Sequence, residues 1–174
     1  MSGFWQVEME ETDKEKTAFT CWKGLYEFNV MPFGLKNVPP TFQRLMNKVL
    51  DSYINKFVVV YIDDIMIYSL TFEEHIEHLE KVFQRLIEAN LMVKFKKYKF
   101  CLQNIEFLGH IVGKDGLQVD LKKIEKMKKL PTPRNLREVR GIMGLLGYYR
   151  KFVPNFLKIA KSINQLLKKD EEFN

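Results

Sequence analysis

The sequence predicts an α+β fold: an antiparallel sheet with helices on one face, followed by a small helical region. Two short apolar, β-branched runs at 57–61 and 65–68 flank the adjacent carboxylates Asp63 and Asp64, the pattern of a hairpin buried on its face. Up to residue 119, strand-like runs alternate with amphipathic helical stretches. From Asp120 onward the periodicity is helical.

Bulk properties narrow the class. A chain of 174 residues with 46% hydrophobic content can bury a core. Cys21 and Cys101 lie eighty positions apart without metal-type spacing, so no disulfide framework is expected, and both read as small buried hydrophobes. The N-terminus has no signal-peptide pattern and no apolar run approaches eighteen residues, which predicts a soluble, intracellular protein, cytoplasmic or nuclear, without a membrane partner. Charge is strongly polarised: residues 1–93 carry 9 Lys/Arg against 14 Asp/Glu, and residues 94–169 carry 19 against 5. An acidic half followed by a basic one suits the holding of a polyanion near carboxylates.

Taken in order, residues 4–9 alternate apolar and polar, and 17–22 and 26–30 read as two further strands, with a polar loop at 10–16 and a break at Lys23-Gly24. Residues 31–38 form a loop. Pro39-Pro40-Thr41 opens a helix with Phe42, Leu45, Met46, Val49 and Leu50 on its sheet-facing side. The hairpin then brings Asp63 and Asp64 to a turn, and two readings stand. An Asp pair suits a tight turn through bonds to local backbone. Alternatively, two like charges at the end of a buried hairpin hold a cation between them, and Mg²⁺ is the hard ion that takes one or two carboxylates plus substrate phosphates.

Thr71 to Glu74 has capping-box spacing and opens a helix with Ile76, Leu79, Val82, Phe83, Leu86 and Ile87 inward, ending near Asn90. His75 and His78 read as part of its solvated face, among Glu73, Glu74, Glu77 and Glu80, with no third metal ligand nearby. Lys94-Phe95-Lys96-Lys97-Tyr98-Lys99-Phe100 interleaves basic and aromatic residues, either as an edge strand or as a nucleic-acid surface. Runs at 105–112 and 117–119 flank the turn residues 113–116, with Gly109 as a strand bulge or a point of close backbone approach. Leu121, Ile124, Met127 and Leu130 mark a helix closed by Pro131-Thr132-Pro133. A capping box at Asn135 to Glu138 starts the next, with Leu136, Val139, Met143, Leu146 and Tyr149 inward and Arg137 and Arg140 on another face. Gly141, Gly144 and Gly147 each cost about 1 kcal/mol relative to Ala. They imply close approach of another backbone, either a neighbouring helix or the minor groove of a duplex. A last amphipathic helix is expected over 152–169.

Tyr61-Ile62-Asp63-Asp64 resembles the Tyr-x-Asp-Asp box of reverse transcriptases. Val30-Met31-Pro32-Phe33-Gly34-Leu35, Thr41-Phe42-Gln43-Arg44-Leu45-Met46, Glu106-Phe107-Leu108-Gly109-His110 and Gly147-Tyr148-Tyr149-Arg150-Lys151-Phe152 resemble successive blocks of the gypsy class of long-terminal-repeat retrotransposon polymerases, in family order and spacing.

The resemblance implies a polymerase palm with a remnant of the fingers over 1–119 and a helical thumb over 120–174. It implies RNA-directed DNA polymerase activity, with Asp63 and Asp64 as catalytic ligands of two Mg²⁺ ions, Mn²⁺ being a substitute. Phe4, Phe33 and Gly34 would bind the deoxynucleoside triphosphate, Phe4 by stacking under its sugar and leaving no room for a 2′-hydroxyl. Phe107, Leu108, Gly109 and His110 would form the primer grip. Lys94, Lys96, Lys97, Arg137 and Arg140 would contact the backbone of an RNA or DNA template with its primer. Pro39 matches a usual proline, whereas Pro40 departs from the family. The family's third carboxylate falls two residues before Met1, and the ribonuclease H and integrase domains expected in the parent polyprotein are absent from this sequence. The competing reading is a catalytically inactive remnant that only binds template–primer. A palm-fold cyclase handles no duplex, and the primer-grip-like and thumb-like blocks oppose it.

Overall fold

Packing of Phe4 decides how the chain begins. In the computed structural model, which describes residues 3–94, 96 and 98–167, the chain divides into two compact units, Met1–Cys101 and Leu102–Asn174. Residues 4–9 do not form the strand their alternation predicts. Phe4–Gln6 is a 3₁₀ turn that buries the Phe4 ring edge-on to Phe42 (5.2 Å) and Phe33 (5.5 Å), and only a bridge between Glu8 and Val30 is strand-like. The polar stretch that follows contains the one-turn helix α1 (Glu11–Lys14). The next two strands are shorter than predicted: β1 (Phe19–Cys21) and β2 (Gly24–Tyr26) pair as a small hairpin. It buries little, so Cys21 is half-buried; Cys101, in an irregular segment, is exposed, and neither is the buried hydrophobe expected.

Helix α2 (Val38–Val49) starts with Pro39 and Pro40 in its first turn, where a missing N–H is harmless, and buries Val38, Phe42, Met46 and Val49. The hairpin follows as predicted: β3 (Val58–Tyr61) and β4 (Asp64–Ile67) pair from Val58↔Ile67 to Tyr61↔Asp64. Helix α3 (Phe72–Glu88) is capped by the Thr71 hydroxyl, which accepts the Glu74 N–H at 3.2 Å. It closes on Asn90 at φ +54°, with Leu91 N–H donating to Leu86 O and Asn90 N–H to Ile87 O, a Schellman motif.

The buried stripe of α3 runs through Val82 and Leu86, while Ile76 and Ile87, predicted inward, are exposed. At 100° per residue these two lie past one edge of the stripe, whereas His75 falls between Val82 and Leu86 and His78 at the other edge. His75 and His78 are therefore half-buried instead of solvated: their Nδ1 atoms lie 3.2 and 2.8 Å from the Ser69 hydroxyl, and His78 stacks on Phe57 at 3.7 Å. Ten apolar residues from Phe4 to Leu86 form the core of this unit, with Leu50 and Val58 fully buried. The described residues of 94–100 form no strand, so the expected edge strand is not present among them.

In the second unit β5 (Asn104–Phe107), β6 (His110–Gly113) and β7 (Gly116–Val119) form an antiparallel meander. Phe107 pairs with His110, so Leu108 and Gly109 form a two-residue turn, with φ +48° and +77°, and Gly109 is no bulge. Helix α4 (Leu121–Lys128) is capped by Asp120 and α5 (Leu136–Tyr148) by Asn135, whose side chain accepts the Glu138 N–H at 3.0 Å. The single last helix predicted is broken into α6 (Phe156–Ile159) and α7 (Lys161–Gln165). Pro154 lacks a backbone donor and Asn155 sits at φ +56°, so the helix cannot run from 152 and begins at Phe156. The break between α6 and α7 falls at Ala160, and the expected end at 168–169 lies outside the described residues. Among the described residues no helix is long and apolar enough to cross a membrane.

Candidate active site

The Tyr61-to-Asp64 turn presents both acids to solvent: Asp63 and Asp64 are exposed, while Ile62 between them and the strand is half-buried and packs against the core. Ile62 has φ +53° at the first central position of the turn, where hairpins of this kind place glycine. A β-branched residue in that conformation costs about 1–3 kcal/mol and persists only where its surroundings hold it. The holding group is Gln43 of α2, whose Oε1 accepts the Ile62 N–H at 2.6 Å. Its Nε2 donates to Val60 O at 3.3 Å and to Asn47 Oδ1 at 2.8 Å.

Gly3 flanks the turn. A Cβ there would lie 2.7 Å from Asp63 Oδ1 and 2.8 Å from Phe42 Cζ, so only glycine leaves room for the carboxylate. Phe4 follows directly, buried against Phe33 and Phe42. Met31 and Pro32 anchor the next loop in the core while Phe33 and Gly34 are exposed, and Gly34 has φ +95° with open space around it. The structure thus brings Asp63 together with Gly3, Phe4 and Phe33. The Gln6 side chain ties this segment to Met92, accepting its N–H at 2.6 Å and donating to its carbonyl at 3.2 Å. Lys94 and Lys96 lie just beyond, both exposed; Lys97 lies outside the described residues.

The donor set fits Mg²⁺. Two adjacent carboxylates at an exposed tip supply hard oxygen ligands and leave coordination positions for water and phosphate. Among the described residues no three His, Cys, Asp or Glu side chains converge, so an all-protein cage is not what the tip offers.

In the second unit the Leu108-Gly109 turn is held from α5 and the residue after it. The Tyr148 hydroxyl donates to Leu108 O and the Tyr149 hydroxyl to Gly109 O at 3.4 Å. His110 is 6% exposed, lies parallel to Tyr148 at 4.9 Å and edge-on to Tyr149 at 5.6 Å, and its Nδ1 has no hydrogen-bond partner among the described residues. Burial, then the positive charges of Lys151 and Lys123, holds its pKa below the ordinary value of 6.5. Phe107, Leu108, His110 and Tyr148, with Arg150 and Lys151, line a cleft of about 520 Å³. Arg137 and Arg140 are exposed on α5. Beside Gly141, Gly144 and Gly147 no described atom lies within 4 Å of where a Cβ would stand, so no neighbouring helix fills that face.

Gln43, Gly3 and Tyr148 carry no individual role in the sequence reading, and Tyr149 is read there only as an inward-facing residue of its helix, which its burial bears out. The signal for Gln43 was present: it is the polar residue beside Phe42 in the last helix before the acidic hairpin.

Residues 1–112 match the family described as reverse transcriptase (RNA-dependent DNA polymerase), and the chain belongs to that family. It is 45% identical over 167 residues to the retrovirus-related Pol polyprotein from transposon 297 of Drosophila melanogaster and 40% identical over 167 residues to that from transposon gypsy of the same species. Each alignment covers 96% of this chain and 16% of the relative, so the chain spans about a sixth of these relatives' length. Among solved structures, the foamy viral protease-reverse transcriptase in complex with double-stranded DNA superposes with a TM-score of 0.85 at 32% identity, over all of this chain and 36% of the other. The same enzyme in complex with an RNA/DNA hybrid gives 0.80 at 31% identity, covering 99% and 23%. Enzymes of this family use divalent metal ions.

Proposed function

We propose that the chain is the palm, with a remnant of the fingers (residues 1–119), and the thumb (residues 120–174) of an RNA-directed DNA polymerase. Its reaction is attack of a primer 3′-hydroxyl on the α-phosphate of a deoxynucleoside triphosphate, with pyrophosphate leaving. The observation that carries this reading is the strained hairpin tip that offers Asp63 and Asp64 to solvent beside Gly3. Asp63 and Asp64 hold Mg²⁺, with Mn²⁺ able to take its place. Bound there, the ion supplies charge neutralisation for the in-line displacement.

The remaining residues bind and orient. Gly3 lies so close to Asp63 that its lack of a side chain leaves the carboxylate room to bind the ion. Phe4, Phe33 and Gly34 flank the incoming nucleotide, the buried Phe4 ring standing where a 2′-hydroxyl would go. Phe107 to His110 grip the primer end, with Gly109 letting its phosphates approach the backbone. Lys94, Lys96, Lys97, Arg137 and Arg140 contact the duplex backbone, and the open glycine face of α5 admits its minor groove.

The test is primer extension on an RNA template with Mg²⁺ and deoxynucleotides, comparing the chain, its Asp63→Asn variant and a form extended upstream by Asp-Leu, with salt-dependent duplex binding measured alongside. Extension that disappears in Asp63→Asn establishes the polymerase. Duplex binding without extension in either form leaves the inactive nucleic-acid binder as the correct description.

A further inference from the structure

Asp63 and Asp64 leave the hairpin from a backbone conformation that Ile62 adopts only against its own preference, and the residue opposing that preference comes from a different element. We infer that Gln43 is the positioning residue of this turn: its side-chain amide holds Ile62 in the left-handed conformation and so sets where the two carboxylates point. The inference rests on the metal-site reading of Asp63 and Asp64.

Both ends of the amide are used. Oε1 accepts the Ile62 N–H at 2.6 Å, and Nε2 donates to Val60 O at 3.3 Å, so one side chain spans the turn from strand to tip. Asn47, one turn further along α2, accepts from the same Nε2 at 2.8 Å and fixes its orientation. A flipped amide would set donor against the Ile62 N–H and acceptor against the Val60 carbonyl, so a single orientation serves. The platform is firm, since Phe42 and Met46 on either side of Gln43 are buried in the core. Asp63 directly follows Ile62, so any rotation at Ile62 swings its carboxylate, while on the far side Gly3 leaves it room. The chemistry requires glutamine. Glutamate would face the Val60 carbonyl with a second acceptor, and asparagine is one methylene short.

The test uses the whole chain and two readouts that need no turnover: Mn²⁺ binding by electron paramagnetic resonance, and hydrogen exchange of the Ile62 amide by NMR. The variants are Gln43→Leu, Ile62→Gly, the two combined, and Asp63→Asn as the metal-site control, each checked by thermal unfolding. Gln43→Leu is expected to weaken Mn²⁺ binding about tenfold and to speed Ile62 exchange by at least about tenfold. Adding Ile62→Gly should restore most of the affinity, because glycine adopts the left-handed conformation freely. Should Gln43→Leu fail to fold, Gln43→Glu keeps the oxygen facing Ile62 and is expected to lose part of the affinity. Unchanged Mn²⁺ binding in Gln43→Leu, or a loss that Ile62→Gly does not restore, overturns the positioning role. Absence of an Asp63-dependent Mn²⁺ signal in the unsubstituted chain overturns the metal-site reading itself, and the role of Gln43 with it, before any Gln43 variant is measured.

Discussion

The turn at Ile62-Asp63 and the turn at Leu108-Gly109 both put a bulky aliphatic residue at left-handed φ, +53° and +48°, and both are held by a side chain from a helix or its end. They differ in which backbone polarity that side chain consumes. Gln43 takes an amide N–H, and what remains at the tip is a pair of carboxylates. Tyr148 and Tyr149 take the carbonyls of Leu108 and Gly109, and the N–H groups of those two residues have no acceptor among the described residues. The two turns also differ in backbone, since Ile62 alone has positive φ in the first and both Leu108 and Gly109 have it in the second; one tip shows carboxylates and the other its backbone N–H groups.

The contrast breaks most visibly at the first tip. Asp63→Asn keeps the turn's shape and removes one of its two charges, so primer extension should fall by at least about 10²-fold while duplex affinity and melting temperature hold. A parallel loss of duplex binding would mean that the acidic tip also supports nucleic acid.

At the second turn the proposed contact is made by backbone, so shape is expected to matter more than charge. Gly109→Ala forces an L-residue to φ +77° and places its Cβ about 3.0 Å from Lys123 Nζ, a flexible group that can move aside. A cost of about 1 kcal/mol in stability is expected, with several-fold weaker duplex binding and unchanged Mn²⁺ binding. Tyr148→Phe removes one donor and frees Leu108 O; loss of about 0.5–1.5 kcal/mol should appear in urea unfolding. Tyr149→Phe should cost less, because its bond is long.

Legibility followed how local each determinant is. The hairpin, α2 and α3 were readable because their apolar spacing and caps lie within a dozen residues, and the acids at 63 and 64 came with them. The strand over residues 4–9 was misread because alternation cannot reveal that Phe4 is captured by Phe33 and Phe42, and Gln6 by Met92, 86 positions away. The helix over 152–169 was misread because its apolar spacing outweighed Pro154, although the breaker was in view. Gln43 is in view as the polar residue beside Phe42, but its task is not legible, for a different reason. Its role needs the conformation of Ile62, and nothing in the residue type isoleucine announces a positive φ.

The second unit buries Val139, Tyr149 and Ala160 and, among polar residues, His110, where the first unit has a core of ten apolar residues. A titratable group at so thin a core should make this unit sensitive to pH. Burial, then Lys151 and Lys123, keeps folded His110 neutral below its ordinary pKa of 6.5. The unfolded chain takes up a proton near 6.5 that the folded chain refuses, so acid favours unfolding. His110 therefore imposes no penalty above about pH 7, and stability declines as pH falls through 6.5 toward the lowered folded value, with a slope of at most about 1.4 kcal/mol per pH unit. His110→Phe keeps a ring beside Tyr148 and removes the proton site, and at Nδ1 it breaks no hydrogen bond among the described residues. Urea midpoints of the two proteins should lie close at pH 7.5 and separate at pH 5.5, with the variant the more stable. Parallel midpoints across that range would show that the imidazole reaches water or a partner when charged, and that the aromatic stack around it opens more readily than its burial implies.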